Sequence, residues 1–357
     1  MLLHTLRISR PTRTPTYLRT FSTGRAAASS LRIGFVPEHF STPLEFAKKH
    51  YALTSPLLPF PSGTGAMVSA LQSGEIDIGI GLTEGWIAAL GKAQSLSTSN
   101  SKTSPRDAGF KIVGTYVETP LCWAISTGAQ RTDLHTIADL KGKRVGVSRV
   151  GSGSYVMSYV LADQNGWLDP SSPDPPFPVS VLDTFKGLRD AVNSAGGGGT
   201  TDAGADFFMW EHFTSKRYYD NGEINRIGEI YTPWSSWKIV AANALLNPQN
   251  WSSGSQASHP PFKEELEDVL GKINKGVKHF EENREEAVRY ISTKLDYEEQ
   301  DAREWLKTVR FAHDVRGVDR EIVERTIGVL QKAGVLNGEV DAGKMIGLER
   351  SEAVKWI

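Results

Sequence analysis

The amino-acid sequence predicts an α/β protein of two units, each a mostly parallel sheet flanked by helices, followed by a helical C-terminal part. Three observations carry this reading. Residues 31–80 alternate strand, helix, strand, helix, strand, the order expected when crossover helices cover a parallel sheet. A second alternation of the same kind runs from 143 to 210. From Pro260 onward the chain turns to amphipathic helices of mixed charge, whose polar residues read as solvated faces. At 357 residues two domains are expected, each able to bury a core.

LRIGFV at 31–36 is a compact apolar strand, and STPLEFAKKHYAL after it forms a helix with Ser41 or Thr42 as cap and Pro43 in the first turn. LLPFPSG is a short strand leaving into a glycine turn. GTGAMVSALQSG then places Met67, Ala70 and Leu71 at helical spacing and stops at Gly74. IDIGIG completes the first series as a strand that runs into Thr83 and Glu84. Residues 95–109 are polar and of low complexity, hence a surface loop. FKIVGTYVETPLCWAIS supplies two strands meeting near Glu118–Pro120, TIADLKG a short helix, KRVGVSRV a strand and GSGSYVMSYVLADQNG a helix. PVSVLDT, FKGLRDAVNSA and GADFFMW follow as strand, helix and strand, with the GGGGTTDAG insertion as a surface tip. That insertion holds no lysine and precedes a strand, so it is not a phosphate loop. RIGEIY and WKIVAANALL read as two more strands around PWSS. The extended stretches near Tyr116–Trp123 and Tyr231–Ile239 are suited to carry the chain out to the second unit and back.

Composition narrows the function classes. A formal net charge of −1 argues against a broadly basic nucleic-acid face. The single cysteine, Cys122, excludes an intrachain disulfide framework and any Cys-only metal cluster within one chain. No apolar run is long enough for a membrane anchor. Before Val36 there is no acidic residue, while Arg7, Arg10, Arg13, Arg19 and Arg25 lie among Ser, Thr, Leu and Phe. Residues 1–30 therefore read as a mitochondrial presequence that directs the protein to the matrix, the alternative being a polar tail on a cytoplasmic protein. A monomer or weak dimer is expected.

The candidate binding residues follow from strand and helix ends. In VSRVGSGSY, free N–H groups at a helix start attract an anion, Gly151 and Gly153 permit close approach, Ser152 and Ser154 add hydroxyls, and Arg149 adds a cation; the alternative is an ordinary cap with Arg149 in water. Thr83 and Glu84 sit past a strand end beside glycines, where an acid in the cleft prefers an amine or ring N–H donor; alternatively they are a cap and a first-turn acid. Trp210 is a stacking wall and Glu211 an acceptor, since adjacent residues cannot all face one pocket. Glu118 lies at the first crossing, and Trp234 belongs to PWSSW, an aromatic hinge or rim. His39 has no partner at a metal or triad spacing. Nothing in the sequence marks a catalytic residue, a metal site or a cofactor; GxSxG and the full dinucleotide fingerprint are absent.

LQSGEIDIGIG, IADLKGKRVGVSRVGSGSYVM, FKGLRDAVNS…GADFFMWEHF and KIVAANALL, in that order, resemble the type II periplasmic-binding-protein fold, in the branch of the alkanesulfonate- and taurine-binding proteins and the fungal thiamine-pyrimidine precursor synthases. The resemblance covers about residues 31–255. It implies a two-lobed clamshell closing on a small molecule at the carboxyl ends of strands, with lobe 1 formed by 31–117 plus 232–357 and lobe 2 by 118–231. It also implies ligand contacts at Glu38, His39, Phe40 and Ser41, at the turn of Gly63 and Thr64, at Thr83 and Glu84, at Ser152 and Ser154, and at Trp210 and Glu211. The implied function is binding of a small polar or heteroaromatic, possibly anionic, molecule. The alternative is an enzyme of heterocyclic cofactor-precursor synthesis on the same scaffold. Those synthases resemble this chain in fold but carry a cysteine-rich segment that Cys122 alone does not replace, and Lys48, Lys49 and His50 match their lysine and histidine too loosely to carry a catalytic role across.

Overall fold

A computed structural model describes residues 30–98, 107–169, 174–194, 204–247, 262–350 and 355–356. The presequence reading, the middle of the polar 95–109 loop and most of the glycine-rich tip lie outside the described residues.

In chain order the first lobe begins with β1 (Ile33–Phe35), α1 (Thr42–His50), β2 (Leu57–Pro59), α2 (Thr64–Ser73), β3 (Ile78–Leu82), α3 (Thr83–Thr98) and β4 (Phe110–Val117). The second contains β5 (Cys122–Gly128), β6 (Val145–Val147), α4 (Gly153–Gln164), β7 (Val179–Val181), α5 (Phe185–Asn193), β8 (Phe207–Glu211), α6 (His212–Asp220) and β9 (Ile224–Tyr231). The chain then returns through β10 (Trp237–Ala242) and α7 (Asn243–Leu246) to α8 (Phe262–Glu282), α9 (Arg284–Lys294), α10 (Glu299–Thr308) and α11 (Arg320–Lys332). The two sheets share one plan: β2-β1-β3-β10-β4 and β7-β6-β8-β5-β9. In each, three strands pair in parallel and the fourth in order, β10 or β5, is antiparallel to both neighbours. The reversed strand is the one entered directly from the other lobe. A chain arriving from the cleft side must run against strands that point toward the cleft.

Hydrogen bonds lace the crossings at 118–121 and 232–236 to each other. Ser236 donates from both its backbone N–H (3.2 Å) and its hydroxyl (2.8 Å) to the Thr119 carbonyl, Leu121 N–H donates to Thr232 Oγ1 at 2.9 Å, and Thr232 N–H donates to the Leu121 carbonyl at 3.1 Å. Two extended segments that satisfy one another in this way bend together as a pair of straps.

Some local expectations change. Neither Ser41 nor Thr42 caps α1 with its side chain: a 3-10 turn at His39–Ser41 precedes the helix, and both hydroxyls donate back to carbonyls, Ser41 to Glu38 and Thr42 to His39. TIADLKG yields a 3-10 turn at Ile137–Leu140. The end of WKIVAANALL is the short helix α7, not strand, because Ala and Leu have helical preference and β10 has already run out of partners.

The helix α8 buries Leu266, Val269, Leu270, Ile273, Val277 and Phe280, a single stripe at three- and four-residue spacing that lies on α1. The approach is close: a Cβ at Gly276 would lie 2.2 Å from the Pro43 carbonyl oxygen. α8 thus packs on the first lobe, while α10 and the turn before it reach the second. Lys216 pairs with Asp301 at 3.0 Å, and the Tyr297 hydroxyl meets Thr214 Oγ1 at 3.2 Å.

Lys238, on β10, is buried at 1% exposure, with its ammonium on Thr115 Oγ1 (3.1 Å) and on Ser235 Oγ. Burial drives its pKa down to about 7 from an ordinary 10.5, with Glu118 opposing. Between those values the unfolded chain holds the extra proton, so this group makes stability rise as pH climbs from 7 to 10.5. Lys238→Met is expected to raise the melting temperature by a few degrees at pH 7, with the difference shrinking toward pH 10; thermal unfolding across that range checks both.

Candidate functional site

A cavity of about 710 Å³ lies between the lobes, within the size range of small-molecule sites. The first lobe contributes Glu38 after β1, the turn at 61–66, and Leu82, Glu84 and Gly85 at the end of β3. The second contributes Ser148, Arg149 and Ser152–Ser154 after β6, Asp183–Lys186 after β7, and Trp210 and Glu211 at the end of β8. Leu121, Trp123 and Trp237 come from the segments flanking the crossings. Strand ends supply the wall because a strand's last residues leave the sheet's hydrogen-bond ladder and their side chains project beyond it.

Glu84 stands at the junction. It is 1% exposed; its Oε2 accepts a hydrogen bond from Trp234 Nε1 at 3.1 Å, and its Oε1 has no hydrogen-bond partner among the described residues. A Cβ on Gly153 would fall 2.8 Å from Oε1 and 2.7 Å from the Trp123 ring, so only glycine lets the start of α4 close onto this carboxyl. Burial lifts the Glu84 pKa to about 7, and the Trp234 hydrogen bond opposes the rise. Glu211 accepts from Thr214 N–H at 2.6 Å, capping α6, and burial raises it to about 7 as well. Glu38 rises to about 8, through burial first and then the nearby charge of Glu211.

The other walls are aromatic and cationic. Trp210 stacks on Phe185 with centroids 5.0 Å apart and planes at 17°, while the Arg189 guanidinium lies 4.7 Å from the far ring's centroid. The indole N–H groups of Trp123 and Trp237 are buried without a hydrogen bond. Arg149 is exposed and makes no ion pair among the described residues; it also borders an adjoining groove of about 570 Å³ that holds Lys92. Asp183 has φ of 57°, a left-handed conformation that a non-glycine residue adopts at a price in strain and that collects at ligand sites.

Of the residues nominated from sequence, Glu38, Gly63, Thr64, Glu84, Arg149, Ser152, Ser154, Trp210 and Glu211 meet at this cavity. Six others stand away from its wall. His39 is buried with its ring centroid 4.2 Å from that of Trp305 and 4.6 Å from that of Tyr297; neither ring nitrogen makes a hydrogen bond among the described residues, although Nε2 lies 3.8 Å from Glu211 Oε1, and burial pushes its pKa well down. Phe40 packs on Trp237 and Trp305 and borders a separate 290 Å³ pocket. Ser41 is held by the Glu38 carbonyl, and Thr83 Oγ1 donates to Ser235 O at 2.6 Å. Glu118 accepts from Arg350 at 2.6 Å, and Trp234 acts through Glu84. The sequence reading missed Trp123, Trp237 and 183–186. The last group carried a readable signal, since DTFK follows strand β7 as SRVGS follows β6.

Ser152 and Ser154 bond to each other at 3.0 Å, and Ser152 caps α4 by accepting from Tyr155 N–H at 3.3 Å. The anion-attracting end of α4 thus already faces a carboxyl of the protein. Because the Glu84 pKa is higher folded than its ordinary 4.5, the folded chain binds the extra proton between pH 4.5 and 7, and this group makes stability fall as pH rises through that window. Glu84→Gln is expected to leave the melting temperature unchanged at pH 4 and to raise it by a few degrees at pH 8. A pH series of thermal melts for both proteins measures the difference.

Comparison with known proteins places the chain. The Ca3427-like PBP family profile matches residues 123–230, and no curated protein matches the sequence. The solved structure of the conserved Candida albicans CA3427 gene product is 36% identical and covers 89% of this chain and 95% of its own, with a TM-score of 0.69. The alkanesulfonate-binding protein SsuA from Xanthomonas axonopodis pv. citri, bound to MOPS, is 16% identical (89% and 97% covered, TM-score 0.63). The Escherichia coli aliphatic sulphonate binding protein SsuA is 17% identical (89% and 91% covered, TM-score 0.62). The two SsuA structures share the fold, a two-lobed α/β clamshell with room for a small molecule between its lobes. With a third of its residues identical to CA3427 over nearly the whole of both chains, this protein belongs to the Ca3427-like family of proteins with the periplasmic-binding-protein fold.

Proposed function

We propose that the protein binds, without transforming it, a small heteroaromatic molecule that carries N–H donors, and that the lobes close over it. The observation that carries this reading is Glu84: a carboxyl buried between the lobes, with one oxygen fixed by Trp234 and the other unpartnered. A buried acceptor left open is satisfied by a donor, and the Phe185–Trp210 stack gives a flat ring a surface. With Glu38 and Glu211 also at the wall, the centre of the cavity favours an amine or ring N–H over a bare anion. An anionic substituent, if the ligand has one, is served at the rim by Arg149, in keeping with the sulfonate binders that share the fold.

Binding is supported over the alternative of precursor synthesis by placement. Lys48, Lys49 and His50 sit at the far end of α1, and the lysine in the cavity wall is Lys186 on α5. The acid-free, arginine-bearing first thirty residues support delivery to the mitochondrial matrix.

Native mass spectrometry of gently purified protein is expected to show a retained small molecule whose ultraviolet spectrum is that of an aromatic ring. For that molecule, Glu84→Ala and Trp210→Ala are each expected to weaken binding about tenfold or more by calorimetry, each removing a buried polar or stacking contact; unchanged affinity in both rejects the assignment. A fusion of residues 1–30 to a fluorescent protein is expected to enter mitochondria, and a diffuse cytoplasmic signal rejects the address.

A further inference from the structure

On the face of the first lobe away from the cavity, three helices bring His50, His279 and Glu286 to one point. His50 ends α1, His279 lies on α8 and Glu286 opens α9. His50 Nε2 is 2.9 Å from Glu286 Oε1, and His279 Nε2 is 2.9 Å from Glu286 Oε2. One ligand atom from each of the three residues can be chosen so that all three lie within 4.8 Å of one another. Each side chain keeps some solvent contact, at 29%, 14% and 22% exposure, so an ion has a path in.

We propose that these residues form a binding site for a divalent transition ion of the zinc type, with His50 Nε2, His279 Nε2 and a Glu286 oxygen as protein ligands and water completing the sphere. Two imidazoles and one carboxylate are a donor set that zinc accepts, and imidazole selects it over magnesium or calcium, which prefer oxygen.

The surroundings fit that role. The Tyr51 hydroxyl lies 3.1 Å from His279 Nδ1; without metal it donates there while Nε2–H donates to Glu286, and with an ion bound it can accept from Nδ1–H instead, which frees the Nε2 lone pair for the metal. Phe46 packs edge-on against both rings, with centroids 5.9 Å from His50 and 5.1 Å from His279, which restrains their rotation. Glu286 sits within hydrogen-bond distance of Lys49 (2.6 Å) and of both imidazoles, so its carboxylate already faces N–H and cationic groups where an ion would lie.

Two adjustments accompany binding. The imidazole rings are stacked at 4.1 Å with planes 19° apart, and they must tilt toward each other to aim both lone pairs at one ion. Lys49, now 2.6 Å from Glu286 Oε1, must swing away, and its side chain is 64% exposed. The nine residues of α1 put about 13 Å of helix between this cluster and the interlobe cavity, so the site is independent of the ligand proposed above.

The test uses the full chain, stripped with a chelator and dialysed, with Co²⁺ and Zn²⁺ as probes. Co²⁺ is expected to bind with one-to-one stoichiometry and give visible d–d bands that Zn²⁺ bleaches and Mg²⁺ does not. His50→Ala and Glu286→Gln are each expected to weaken Co²⁺ binding about tenfold or more, with circular dichroism confirming that they fold. Zn²⁺ is expected to raise the melting temperature of the wild type and not of His50→Ala. Co²⁺ bands that persist in the folded His50→Ala variant, or the absence of any in the wild type, overturn the proposal. Should His279→Ala fail to fold, His50→Ala decides, because that side chain lies at a helix end and is partly solvent-exposed.

Discussion

A single buried carboxyl ties the two lobes of this molecule to the crossings between them. Glu84 begins α3 in the first lobe, takes a hydrogen bond from Trp234 in the second crossing, and abuts Gly153 at the start of α4 in the second lobe. The contact between the lobes depends on satisfying this group, because a charged carboxylate surrounded by protein is unfavourable unless donors or a proton compensate it. Trp234 supplies one donor and the start of α4 a favourable dipole. The remaining oxygen has no hydrogen bond among the described residues, and under the proposed function it is where a bound molecule would contact the first lobe.

Around that group the cavity is built from opposed chemistries. Three carboxyls lie between aromatic rings, and the nearby cations stand at the edge. Each carboxyl is displaced upward in pKa by burial, so near neutrality the wall is poised between acceptor and donor. The same physics holds Lys238 behind the crossings with a depressed pKa. The two kinds of group respond to pH in opposite directions, and the stability of the closed form reflects their balance.

Legibility from sequence followed the range of the interactions. The strands IGF, IGIGL and VGV and the helices after them were readable because short apolar runs and glycine stops are local signals. The ends of β3, β6 and β8 could be nominated as cavity wall by the rule that ligands gather beyond strand ends, which reaches Glu84, Arg149, Ser152 and Glu211. His39 escaped that rule. It also follows a strand, but the turn at 39–41 points it at Tyr297, between α9 and α10, and Trp305, on α10, more than 250 positions away. Thr83 and Glu118 were similarly claimed by Ser235 and Arg350.

The sequence by itself determined the two α/β units, the helical C-terminal part and the strand ends where a cleft lies, because periodicity, turn residues and helix caps act within a few residues of one another. Only the tertiary structure decided which side chains face the cleft and which are consumed in holding it. Trp123 and Trp237 reach the wall from the strands next to the crossings, and α10 with the turn before it covers His39. The meeting of His50 with His279 and Glu286 spans more than 200 residues of chain. Contacts of that range are fixed by how helices pack across a core, and no spacing along the chain encodes them.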